Sequence, residues 1–436
     1  MFEQATNNRG QTSHGISPTG KRGQTSMQAF KKKNLLKVLV SLLIPTIFIL
    51  FKPLGLSIEQ SIVMGALFLT ILWWGTGWIH KDAASLFLLV TLLVFGKTSA
   101  KDVFYFVLSD NLVLIVASFL LSQGIINSRD AYNISLHFLS KYCYTSKRLV
   151  AMSFVLGFIL IFIVPQPFPR VILLASIYNA FLEKHSFKEE SKKTLILSAF
   201  IAVIVTSLAS LNGDVIINYT ALSFGNVNLS YFEWAKYMTL PTLLTTGVVF
   251  FAFILVFRRD LKDNFTWEKT AFPPLTREGK KALIIIALTL VFWISEPFHG
   301  VPTSTVGLVG AILMFIFKVI NLKDLKAINV SLLIFLTVEF AIGRVLVANG
   351  TAEKISSLLT GVSPNPASVF YIPFIILMII LFHMLMGSLV TAVTVLIPTL
   401  LATTTGNLSS IFIVLLTCTV LAEPYSPEAN GIACPE

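Results

Sequence analysis

The chain has 436 residues, of which 55% are hydrophobic and only 13% charged, and its formal net charge is +11. A soluble domain of this length needs far more charge to cover its surface. The basic residues sit between long apolar runs rather than in a binding stripe, so the positive balance does not point to a nucleic-acid partner. Cys143, Cys418 and Cys434 have neither metal nor redox spacing, so a disulfide framework and a zinc site are not expected, nor is any other cofactor.

Residues 1–33 are polar and rich in Gly and Ser, and read as a disordered cytoplasmic tail. So long a polar stretch before the first apolar run is unlike a cleavable signal. From 35–51 through 411–421 the chain repeats apolar runs, several near the roughly 20 residues that cross a bilayer. Only helices and closed barrels satisfy backbone polar groups in lipid. The short-spaced alternation of barrel strands is missing. The predicted fold is an all-α polytopic membrane protein of roughly ten spans.

Charge orients it. The tail and the loops at 128–148, 183–193, 258–281 and 318–326 carry 24 of the 33 Lys and Arg. Lys52, Lys97, Lys101 and Lys354 fall on the other side. This asymmetry puts the N-terminus and the long loop 258–281 in the cytoplasm of a cell-membrane protein. Trp73, Trp74, Trp78, Trp234 and Trp293 lie near predicted span ends, where interfacial aromatics belong, with ordinary apolar packing expected for about half of them.

Two segments resist simple counting. The apolar run after Arg148 meets Pro165-Gln166-Pro167-Phe168-Pro169-Arg170 and resumes to Leu182, with basic loops on both flanks. Proline removes donors and breaks helices. The economical reading is a re-entrant hairpin near 148–182. A second one, near 365–405, is broken at Gly387-Ser388 and enters from the opposite face. One lies in the first half, 34–257, and the other in the second half, 282–436, joined by the cytoplasmic loop 258–281. Paired broken segments of opposite entry mark an inverted-repeat carrier with a midplane site. Bare helix N-termini there favour an anion.

Ionisable groups at membrane depth are functional candidates. Arg170 follows the first tip; its planar fork suits carboxylate or sulfate. It is expected to hold the substrate anion, or to form a structural salt bridge or snorkel to the cytoplasmic face. Glu339 and Arg344 share one span five residues apart, beyond the usual helical pair spacing. Glu339 is the deeper, and is a candidate proton carrier or a partner within the bundle. His383 precedes the second tip and reads as a packing residue or a proton relay. Gln166 and Ser388 are the polar groups at the two tips and the leading substrate-binding candidates.

In the order of its segments the chain from Leu35 onward resembles the divalent anion/sodium symporter family of dicarboxylate, citrate and sulfate carriers. Trp73-Trp74, Asp110-Asn111, the stretch Ser230-Tyr231-Phe232-Glu233-Trp234-Ala235-Lys236 with Leu240-Pro241, and Trp293-Ile294-Ser295-Glu296-Pro297 are similar to its motifs. The resemblance implies Ser-Asn-Thr at both tips and a Gly-Thr/Ser-Pro-Pro-Asn loop in each half. Here the tips read Pro165, Gln166, Pro167 and Ser388, Leu389, Val390, and the first loop keeps Gly213 while the second keeps Asn430. By the same resemblance the loop of Asp214 faces the first tip, so Arg170 would replace a bound sodium, either pairing with Asp214 or holding the substrate anion; Gly213, Asp214 and Asn430 join the substrate set, Ser210 and Asn212 join Glu339 as ion-coupling candidates, and a homodimer is implied. The coupling ion would be sodium or a proton. The family continues with one more span after Asn430, so the chain ending at Glu436 reads as a truncated copy.

The leading expectation is a secondary carrier of a small anion, such as a di- or tricarboxylate or sulfate, across the bilayer. The alternative is a non-transporting member acting as a sensor or partner subunit. An enzyme is not expected, since neither His-Glu-x-x-His nor Gly-x-Ser-x-Gly occurs.

Overall fold

The computed structural model describes residues 37–164, 167–183, 187–264, 274–365, 368–386, 389–403 and 410–421. Gln166, Ser388 and Asn430 lie outside the described residues, as does the second loop. The first part runs α1 (Lys37–Phe51), α2 (Ile58–Thr76), α3 (Lys81–Phe95), the short α4 (Ala100–Val103) and α5 (Asp110–Ser128). Then come α6 (Asp130–Tyr142), α7 (Ser146–Ile161), α8 (Pro167–Glu183), α9 (Glu189–Thr206), α10 (Val215–Gly225) and α11 (Tyr231–Val256). The second part holds α12 (Arg277–Ile294), α13 (Glu296–His299), α14 (Thr303–Ile316), α15 (Val330–Ala348) and α16 (Thr351–Val362). It closes with α17 (Tyr371–Met386), α18 (Leu389–Thr403) and α19 (Ser410–Leu421). Among the described residues there is no strand, only an isolated bridge between Thr145 and Asn264.

By length and composition, α2, α5, α9 with the turn after it, α11 and α15 can each cross a membrane, and α1, α14, α17, α18 and α19 are shorter apolar helices. Helix starts follow local chemistry. Ser57 with Gln60, and Ser230 with Glu233, form capping boxes that satisfy first-turn N–H groups of α2 and α11. Pro167 opens α8, where a missing N–H is harmless.

Packing partners are exchanged between the two parts. α2 packs on α3 and α12 on α14; α15 then packs on α3, while α5 packs on α14. In the same way α8 packs on α6 and α9, and α18 on α16 and α19. The largest apolar core joins residues of α5, α10, α12, α14, α15, α18 and α19. A second core is built from α7, α8 and α9, and a third lies between α2, α3 and α15.

The outer surface is apolar along α11. Leu240, Leu244, Val248, Phe251 and Leu255 are each 64–71% exposed on that 26-residue helix. In water such a stripe forfeits about 25 cal/mol per Å² of apolar surface left unburied, whereas acyl chains cover it without that cost.

The tryptophans divide between interior packing and the surface. Trp234 is fully buried and donates its Nε1–H to the Leu208 carbonyl at 3.0 Å; Trp293 is buried and donates to the Thr303 carbonyl at 3.0 Å. Both satisfy backbone groups inside the bundle instead of sitting in an interface. Trp73 and Trp74 pack on Phe87 and Phe335, which leaves Trp78, beneath the Lys37 ammonium, closest to the interfacial picture.

Candidate functional site

The helical path breaks inside an apolar span after Thr206. Two 3-10 turns, Ser207–Ala209 and Leu211–Asp214, separate α9 from α10. Breaking a helix there strands carbonyls, which is tolerated only where protein groups or a cavity satisfy them. Leu208 accepts from Trp234 and Ala209 accepts from Thr239 Oγ1 at 2.8 Å. Ser210 and Leu211 carbonyls accept from Asn218 Nδ2 at 3.4 and 3.0 Å. Ser210 Oγ and Tyr231 OH share a 2.7 Å hydrogen bond. Asp214 Oδ1 caps α10 by accepting from the Ile217 N–H at 3.2 Å.

Gly213 holds the two turns together. A Cβ on it would fall 1.9 Å from the Ser207 carbonyl oxygen and 2.8 Å from its carbon. No side chain fits, which accounts for glycine at this position. Its own carbonyl points at Arg170.

Arg170 enters from α8 and is fully buried. Its Nη2 donates to Ser207 Oγ at 2.8 Å and to the Gly213 carbonyl at 2.5 Å. The Asp214 charge supplies electrostatic support. The Arg170 hydrogen bonds thus go to a hydroxyl and a carbonyl, while the Asp214 carboxylate caps α10. Arg170 Nε and Nη1 have no partner among the described residues. Asn212, 1% exposed, accepts from Tyr219 OH through Oδ1 at 3.2 Å, and its Nδ2 is also without a partner among the described residues. The broken loop therefore gathers several buried N–H donors with unfilled capacity. Buried polar groups are nearly always satisfied, so these donors stand out among the described residues.

Tyr219 connects this loop to a cavity. Its hydroxyl also shares a 3.2 Å hydrogen bond with the Thr303 hydroxyl, which donates while the phenol proton goes to Asn212, and both residues line a cavity of about 1320 Å³. The cavity lies between the ends of α5, α10 and α11 and the α13 turn, with Asp110, Glu233, Glu296 and Lys236 on its walls. Burial pushes the Glu296 carboxyl above the usual glutamate range, against a backbone hydrogen bond at Tyr231 that lowers it. Among the described residues no group of His, Cys, Asp and Glu could hold a metal ion.

In the second part Glu339 of α15 is fully buried and accepts a hydrogen bond from Thr391 Oγ1 of α18. Arg344 does not pair with it. Its guanidinium lies 3.3 Å from the Tyr105 ring centroid and 3.8 Å from Asp102 Oδ1. His383 is buried beside a cavity of about 640 Å³, and both ring nitrogens lack partners among the described residues. Of the nine site residues read from sequence, Arg170, Ser210, Asn212, Gly213 and Asp214 come together around one loop, whereas Glu339 belongs to the α15–α18 contact. Sequence reasoning missed Ser207, Tyr219 and Tyr231. Their signal is a hydroxyl inside an apolar run, which is weak alone because such groups commonly bond to their own helix.

A comparison with curated proteins finds no match. A family model described as the sodium:sulfate symporter transmembrane region matches residues 31–427, nearly the whole chain. With its apolar helices, its interrupted span and this match, the chain is a multi-pass membrane protein that belongs to the sodium:sulfate symporter family.

Proposed function

We propose that the chain is a secondary carrier of a small oxyanion, sulfate or a di- or tricarboxylate, and that the anion docks against Arg170 and Asn212 at the broken loop 207–214. The observation that carries this reading is the cluster of buried, unfilled N–H donors on those two side chains. In a medium of low dielectric an arginine that keeps donors in reserve is a strong attractor for an oxyanion. Family membership supports an anionic solute and sodium as coupling ion.

Arg170 has a second part in this reading. Hydroxyl and carbonyl oxygens are the ligands of a hard cation. Here Ser207 Oγ and the Gly213 carbonyl bind a guanidinium. Arg170 thus acts as a tethered cation in the first half, and any mobile sodium binds elsewhere. Residues 148–182 and 365–405 form opposed hairpins, and the chain works as an inverted repeat and a homodimer with its N-terminus in the cytoplasm. The exchanged pairing of α5 with α14 and of α15 with α3 supports the repeat. Gln166, Ser388 and Asn430 complete the substrate contacts from the two tips and the second loop.

The test is uptake of labelled sulfate, citrate and C4 dicarboxylates into proteoliposomes, with and without a sodium gradient. Saturable uptake of one of them, lowered about 100-fold or more by Arg170→Gln as expected for losing a charged anchor, is the expected result. Uptake that Arg170→Gln leaves untouched removes the anion from this loop.

A further inference from the structure

The contact between α15 and α18 has features that ordinary helix packing does not require. A Cβ on Gly343 would lie 2.6 Å from the Thr394 carbonyl oxygen and 2.5 Å from the Phe224 ring. The two backbones touch there. Pro398, one turn after Thr394, has no N–H to offer that carbonyl, so α18 is locally weakened where it meets α15. One turn before Gly343 on α15, the fully buried carboxyl of Glu339 accepts the hydroxyl proton of Thr391, and Thr391 itself is fully buried. A carboxyl at such depth is expensive when charged, so its two protonation states differ strongly in what they do to the contact.

We propose that Glu339 is a proton-binding site that locks α18 onto α15. When ionised, Glu339 holds Thr391 by a charge-assisted hydrogen bond. When a proton binds a Glu339 oxygen, acceptance weakens and α18 is released to slide past Gly343. The proposal rests on the carrier reading for its purpose and adds a coupling ion, the proton, at a place separate from Arg170.

Other titratable groups around α15 are engaged at its ends or lie on neighbouring elements. On α3, Lys81 sits over the Phe335 ring, 4.1 Å from its centroid, and Asp82 accepts from Ser331. On α4, Asp102 pairs with Ser99 and Arg344, and Lys101 is exposed. On α16, Lys354 reaches Gly55 and Gln60 while Glu353 is exposed; α10 brings Tyr219. Neither α18 nor the turn Phe106–Leu108 carries a titratable group.

The readout is thiol modification of Thr394→Cys by N-ethylmaleimide in a Cys143→Ala, Cys418→Ala, Cys434→Ala background, normalised to the exposed Ser357→Cys. Thr394 is fully buried, so modification reports separation of α18 from α15. Acidification from about pH 8 to about pH 6 should raise the normalised rate about tenfold, the ratio that one charge-assisted hydrogen bond supports. Glu339→Gln, which keeps an acceptor for Thr391 without a titrating group, should react at the acid rate at both pH values and give a flat pH profile of uptake. A pH-independent rate with Glu339 present, or a pH response kept by Glu339→Gln, overturns the proposal. If Glu339→Gln does not fold, Thr391→Val decides: reaction at pH 8 near the acid rate supports the lock, and a rate equal to the Thr391 chain refutes it. No anion is needed for this assay, so a gated thiol in a chain that transports nothing overturns the carrier reading and leaves the lock standing.

Discussion

Replacing Gly213 by alanine tests the loop with a single methyl group. That methyl would sit 1.9 Å from the Ser207 oxygen, so the turns Ser207–Ala209 and Leu211–Asp214 must move apart by more than about 1 Å to reach an ordinary contact. Arg170 Nη2 bonds Ser207 Oγ at 2.8 Å and the Gly213 carbonyl at 2.5 Å, and cannot follow both. Losing one hydrogen bond to a charged donor costs about 1.5–3 kcal/mol, and overpacking adds about 1–3 kcal/mol. Gly213→Ala should therefore still fold, with a lowered melting temperature in detergent. Anion uptake in proteoliposomes should fall on the order of 100-fold, as when geometry shifts by about 1 Å at a working site. Gly247 on α11 is the control, since nothing lies within 4 Å of its added Cβ and Gly247→Ala should leave uptake unchanged. Equal melting temperature and uptake for Gly213→Ala and Gly247→Ala would refute the argument.

Other substitutions probe separate contacts. Arg170→Lys keeps the charge but not the planar fork; uptake should fall about tenfold and stay above that of Arg170→Gln, and equal loss in both would mean the charge is irrelevant. Trp234→Phe strands the Leu208 carbonyl and should destabilise by about 1–2 kcal/mol, read as a melting shift in detergent. Glu296 gives a pH effect with a defined sign: burial raises its folded pKa, so its stabilising contribution is complete below the unfolded value and lost as pH climbs through the folded one. The melting temperature should decline modestly over that window, and Glu296→Gln should flatten the decline; an unchanged slope would contradict the assignment.

Much of the bundle is legible in the amino-acid sequence because lipid imposes long apolar runs and leaves basic residues between them. The loop at 207–214 is legible only through the family resemblance, which marks Gly213 and Asp214, and not as a break in the helical path. Side-chain direction is not legible that way. Trp234 and Trp293 sit near helix starts or ends in sequence, yet both turn inward, to the Leu208 carbonyl of the broken loop and the Thr303 carbonyl of α14. Arg170 was identifiable as a buried charge, while its true partners depended on a backbone carbonyl, which no residue letter encodes. The Glu339–Thr391 contact joins residues 52 apart, and nothing local announces it.

Equilibrium binding to the purified protein tests the central claim most directly, because it needs neither coupling ion nor intact vesicles. Whichever of radiolabelled sulfate, citrate or a C4 dicarboxylate the parent chain binds should lose nearly all specific binding in Arg170→Gln and much of it in Asn212→Ala. Unaltered binding in both variants would show that the anion sits somewhere other than the loop between α9 and α10.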